Sequence, residues 1–80
     1  MESAMLNRLN YINNELNRKL NAECVIDYGL FCVGFVMHFN DRKLRVDVYY
    51  DLIENNSLDV LVGYIIESAK KTYLEEFYRP

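Results

Sequence analysis

From Leu44 to Asp51 the chain alternates, with Leu44, Val46, Val48 and Tyr50 set against Arg45, Asp47, Tyr49 and Asp51. A period of two describes a strand with one packed face and one wet face, so something must cover the apolar side. The preceding run, Leu30 to Phe39, is β-branched and aromatic on both sides, as in a central strand. Asn40-Asp41-Arg42-Lys43 separates the two runs and reads as a tight turn. Placing Asn40 opposite Lys43 sets Phe39 against Leu44, Met37 against Val46, Phe35 against Val48 and Val33 against Tyr50. All eight share one face, and a one-residue slip would send half of them into water. On the other face this register puts His38 opposite Arg45, Val36 opposite Asp47, and Gly34 opposite Tyr49, whose ring would cover the glycine.

The cover comes from the two ends of the chain. Glu2 to Ala22 lacks Gly and Pro and carries Met5, Leu9, Ile12, Leu16 and Leu20, one stripe of a helix. Toward the C-terminus Leu58, Val62, Ile65, Ala69 and Tyr73 repeat in the same way. Asn56 is the expected cap of this second helix, with Asp59 as capping-box partner. The helix should run to about Tyr78, with Pro80 after its end. Cys24 to Tyr28 reads as a further strand closed by Gly29, and Leu52 to Ser57 as a connection. The expected fold is therefore α+β, a two-layer sandwich ordered helix, three-stranded antiparallel meander, helix.

Eighty residues make a single domain, 1–80. At 51% hydrophobic and 26% charged, with three Gly and one Pro, the composition is that of a packed globule rather than a disordered chain. Nine basic and twelve acidic side chains leave a net charge of −3, which argues against a dedicated nucleic-acid or anionic-membrane surface. The start, Met1-Glu2-Ser3-Ala4, carries no apolar signal segment, and Leu30 to Phe39 is about half of the roughly 20 residues a membrane span needs. Cytoplasmic localisation and reduced thiols are expected for Cys24 and Cys32, although the two would meet if the first hairpin turned about Tyr28. Asn55-Asn56-Ser57 fits a glycosylation sequon, a coincidence in a cytoplasmic chain.

No catalytic constellation is legible. His38 is the only histidine, and the spacing of the two cysteines matches no zinc site, so neither a metal nor another cofactor is expected. Cys32 and His38 would lie about 20 Å apart along one strand, beyond the reach of a thiol–imidazole pair. Gly29, Gly34 and Gly63 are isolated and form no phosphate loop. The carboxylate pairs Asp47 with Asp51 and Glu75 with Glu76 carry no sign of a pocket.

Two surfaces are in excess of what folding needs. Asn7, Asn10, Asn14, Asn17 and Asn21 form a ladder about 140° round the first helix from its apolar stripe, alongside Tyr11 and Arg18. Asparagine is a mediocre helix former, and its amide offers donors and acceptors together. A solvated face is the simpler account of the ladder, and a surface for a protein partner the functional one. On the second helix Val60, Tyr64, Leu74 and Tyr78 lie opposite the buried stripe. Tyrosine is enriched at interfaces, so this face suits a partner or a second copy of the chain better than scattered surface hydrophobics do. Tyr49 completes the candidates, on a sheet face whose cross-strand pairs serve stability first.

The order of elements, the length, the acidity and the Asn- and Tyr-rich composition resemble small phage-encoded anti-defence proteins, including type II anti-CRISPR inhibitors. The resemblance spans the chain in plan, rests on no motif and carries over no residue. It departs in charge, because inhibitors that imitate DNA are more acidic than −3. It implies a cytoplasmic, non-enzymatic inhibitor that binds a host defence protein stoichiometrically. One alternative is an acidic nucleic-acid mimic or regulator built on Asp41, Asp47, Asp51, Glu54 and Asp59, which Arg42, Lys43 and Arg45 dilute. The other is a homodimer with a ligand site, or a small enzyme's site, between its subunits.

Overall fold

The computed structural model describes residues 3–77. Its elements run α1 (Ser3–Leu20), β1 (Glu23–Tyr28), β2 (Cys32–Phe39), β3 (Arg42–Tyr49), α2 (Tyr50–Asn55) and α3 (Leu58–Phe77). The strands form an antiparallel meander in the order β1-β2-β3, with β1 and β3 as edges. The helices pack against one face of this sheet, giving the expected α+β fold. One core joins Leu9, Ile12 and Leu16 of α1 to Val62, Ile65 and Ala69 of α3 over Val33, Phe35, Met37, Leu44, Val46 and Val48 of the sheet.

The faces agree with the sequence pattern, but the β2–β3 register does not. Phe39 pairs with Arg42, Val33 with Val48, Phe35 with Val46 and Met37 with Leu44. The reversal uses only Asn40 and Asp41, at φ 41° and 68°, which is the signature of a type I′ turn. Asn and Asp tolerate the left-handed region, so two residues suffice where four were expected. The tighter turn shifts the pairing by two residues, which keeps every side chain on its expected face. It places His38 opposite Lys43, Val36 opposite Arg45 and Gly34 opposite Asp47.

Tyr50, expected in the strand opposite Val33, therefore lies beyond β3 at the start of α2, and α2 takes up much of Leu52 to Ser57, expected as a connection. Arg8 holds α2 in place: its guanidinium donates to the Ile53 carbonyl at 2.6 and 3.0 Å and also to the Asn56 carbonyl. A cation at the end of a short helix satisfies carbonyls the helix cannot pair itself. The cap of α3 is Ser57 rather than Asn56, since the Ser57 hydroxyl accepts from the Val60 N–H at 3.3 Å. The Asn56 amide donates back to the Leu52 carbonyl instead.

At the far end of β2, Phe39 meets Tyr73, and Tyr73 meets Phe77, both edge to face. The Arg42 guanidinium lies 4.5 Å over the Phe77 ring. Cys24 pairs across the ladder with Met37 and Cys32 with Tyr49, so the cysteines are not neighbours and both thiols are free.

Candidate functional site

The outward side of α3 is where its helical period runs out of core. Leu61, Val62, Ile65 and Ala69 are buried, while Val60 and Tyr64, one turn apart, are 61% and 52% exposed. Gly63 stands beside them, and a methyl group there would meet nothing within 4 Å. Its φ is not in the left-handed region, so the backbone does not require a glycine either. Glycine inside a helix destabilises it by about 1 kcal/mol relative to alanine. The fold gains nothing in exchange, and the residue leaves bare helix backbone on the surface next to the exposed Val60 side chain.

The asparagine ladder divides into exposed and structural members. Asn7, Asn10, Asn14 and Asn17 are exposed along α1 with Tyr11. Asn21 serves the fold, because at φ 49° it ends the helix in the left-handed position that favours Gly or Asn. Arg18 is engaged by Glu15, the guanidinium meeting both carboxylate oxygens at 2.9 and 3.0 Å. This pairing lowers the Glu15 pKa and raises that of Arg18. Asn13, outside the ladder, donates to the Cys24 carbonyl of the edge strand β1 at 3.1 Å, while its own side-chain oxygen is buried without a partner.

The outer face of the sheet is organised by Arg45. Its guanidinium lies over Gly34, where a methyl group would run into it, and bonds Asp27 at 2.5 Å and Asp47 at 2.8 Å. Those two hydrogen bonds raise the Arg45 pKa. Arg45, not Tyr49, covers the glycine, because the shifted register sets Tyr49 against Cys32. Asp47, one of the phosphate-like carboxylates, thereby shares a single counter-charge with Asp27.

The ten candidates fall on separate surfaces. Asn7, Asn10, Tyr11, Asn14, Asn17 and Arg18 sit on α1, Val60 and Tyr64 on α3, and Tyr49 at the end of β3. Tyr78 lies outside the described residues. Leu74, grouped with Val60 and Tyr64 by its helical position, also lines a groove of about 340 Å³ between α1, the β2–β3 turn and α3. Leu20, Phe39, Leu44, Tyr73 and Lys70 complete its main walls.

The most exposed large apolar side chains are ones the sequence pattern assigned to a central strand. Leu30 and Phe31 are 84% and 75% exposed, in the turn between β1 and β2. The turn is tied down: Gly29 N–H donates to the Cys32 carbonyl at 3.0 Å, Tyr50 N–H to the Phe31 carbonyl at 3.4 Å, and the Tyr50 hydroxyl to the Gly29 carbonyl at 2.9 Å. Burial first, then the neighbouring Cys32 and Tyr28, raises the Tyr50 pKa. The missed signal is geometric: Gly29 alone cannot reverse a chain, so at least one following residue must leave the ladder.

Among the described residues no group of His, Cys, Asp and Glu is placed to hold a metal ion, and no helix is long and apolar enough to cross a membrane. No family model, curated protein or solved structure matches the chain.

Proposed function

We propose that this chain is a small protein-binding protein that acts by occupying a larger partner, without catalysis. The outward side of α3 carries the reading: Val60 and Tyr64 are exposed one turn apart, and Val60 adjoins a glycine whose missing side chain serves no contact of the fold. A partner backbone approaching bare helix at Gly63 would make that absence useful, with Tyr64 as the aromatic anchor. The exposed amides of Asn10 and Asn14 on α1 offer a second, polar surface.

The narrower reading is a phage-type inhibitor that binds a host defence protein stoichiometrically in the host cytoplasm. Its support is the plan-level resemblance: helix, antiparallel meander and helix in a short acidic chain. Affinity capture from a low-GC bacterial lysate tests both levels. A single dominant partner in stoichiometric amount, lost with Tyr64→Ala, supports the binding reading, and a defence protein in that position supports the narrower one. Recovery of the same proteins by wild type and Tyr64→Ala would remove the outward side of α3 from the account.

A further inference from the structure

The sheet has two edges, and they are not equivalent. The type I′ turn makes Phe39 and Arg42 a hydrogen-bonded pair, so Leu44, Val46 and Val48 also turn their backbone groups toward β2. Lys43, Arg45, Asp47 and Tyr49 turn theirs outward. The alternation holds at the far end, where the Tyr50 N–H reaches the Phe31 carbonyl and the Gly29 N–H the Cys32 carbonyl. Tyr49 offers only its N–H, because its carbonyl accepts the first bond of α2. On β1 the outward residues are Cys24, Ile26 and Tyr28, and the Asn13 side chain already takes the Cys24 carbonyl at 3.1 Å. Among the described residues nothing caps β3 in this way, and the strand has neither a proline nor a break in its register.

We infer that β3 pairs antiparallel with β3 of a second copy, about a two-fold axis at Val46, joining two three-stranded sheets into one. Charge selects both the occupant and the register. In this pairing Arg45 faces Asp47 of the second copy, Asp47 faces its Arg45, and Lys43 faces its Tyr49. A shift of two residues one way sets Arg45 against Arg45, and the other way Asp47 against Asp47. Shifts by one residue oppose outward backbone groups to inward ones. The edge is therefore complementary to itself in a single register.

The pairing also supplies what the isolated chain lacks. Asp27 and Asp47 share the one guanidinium of Arg45. A second copy adds its own Arg45 directly opposite Asp47 and its Lys43 on the diagonal. Glu23, Asp27 and His38 lie on the same face but on β1 and β2, one and two strands back from the contact. Past the ladder, Asp41 is in the turn and Asp51 in α2, and Arg42 falls opposite Tyr50, where α2 begins. On the inner face Leu44 meets Val48 and Val46 meets Val46, so the apolar row continues across the axis. The contact is isologous and closes at two copies.

Sedimentation velocity on the purified chain, from about 10 μM to about 1 mM, with amide exchange at both ends of that range, tests the inference. Wild type should pass from monomer to dimer and no further, and should dimerise less at high salt. The amides of Arg45, Asp47 and Tyr49 should exchange more slowly in the dimer, whereas those of Ile26 and Tyr28 on the other edge should not change. Arg45→Asp and Asp47→Arg each place like charges opposite one another twice, and each should weaken dimerisation at least about tenfold. An equimolar mixture of the two variants restores opposite charges at both positions and should recover the dimer.

Wild type that stays monomeric to about 1 mM overturns the inference, and an edge reserved for an extended segment of another protein would give that result. A dimer whose β3 amides exchange as in the monomer overturns it too, because the copies would then meet elsewhere. So does a mixture of folded variants that associates no better than either alone. The exchange arm uses wild type only, so it decides the matter even if a charge variant loses its circular dichroism signal.

Discussion

Gly63→Ala should stabilise the protein. The position is inside a helix of 20 residues, its φ is not left-handed, and an added methyl group meets nothing within 4 Å. With neither clash nor new packing, the whole helix-propensity difference of about 1 kcal/mol should appear as stability. For a domain of this size that corresponds to a rise in Tm of roughly 4–8 °C. Urea unfolding followed by circular dichroism is the assay: the midpoint should move up while the m-value stays fixed. The same methyl group covers the bare backbone, so affinity for a partner docked there should fall as stability rises. A midpoint that stays put or drops would show that the fold itself uses the glycine, and the reasoning from Gly63 to an interface would fail.

Other substitutions discriminate between structural roles. Gly29→Ala would bring a methyl group to 2.5 Å from the Cys32 carbonyl oxygen, backbone that cannot swing aside, and should destabilise by about 1–3 kcal/mol in urea unfolding. Gly34→Ala only displaces the end of the Arg45 side chain, so the loss should stay under about 1 kcal/mol by the same assay. Arg8→Met removes the guanidinium from the Ile53 and Asn56 carbonyls and should cost about 1–3 kcal/mol, with faster amide exchange in α2 as its local signature. Alkaline pH should weaken the fold. Burial pushes the Cys24 thiol up to about 11 and raises the Tyr50 phenol, so the unfolded chain releases these protons first. Stability from Cys24 is complete below the ordinary thiol range and is lost between about pH 9 and 11, as unfolding midpoints across that range would show.

Most of the architecture is legible in the residues because hydrophobic period is a local signal. The stripe from Met5 to Leu20 and the repeat from Leu58 to Tyr73 each point at the core, and the alternation from Leu44 to Val48 faces them. Period alone cannot distinguish registers two residues apart, since both bury the same side chains. That choice fell to the backbone of Asn40 and Asp41 and moved the partners of Gly34, His38 and Tyr49. Leu30 and Phe31 were hidden by their own hydrophobicity, which continues the strand pattern into a turn. α2 is short and depends on Arg8, 45 positions away from Ile53 in the chain, so no local pattern announces it. The groove joins four elements and exists only once they are packed. Of the candidate surface, Val60 and Tyr64 were readable from helical period, whereas the significance of Gly63 required knowing that the space beside it is empty.

Calorimetric titration of the captured partner with wild type, Tyr64→Ala, Gly63→Leu and the Asn10→Ala/Asn14→Ala double variant tests the α3 binding face most directly. Tyr64→Ala and Gly63→Leu should each weaken binding at least about tenfold, because one removes the anchor and the other covers the bare backbone. The asparagine variant should stay within a few-fold of wild type. Wild-type affinity in both α3 variants would contradict a binding role for Val60, Gly63 and Tyr64.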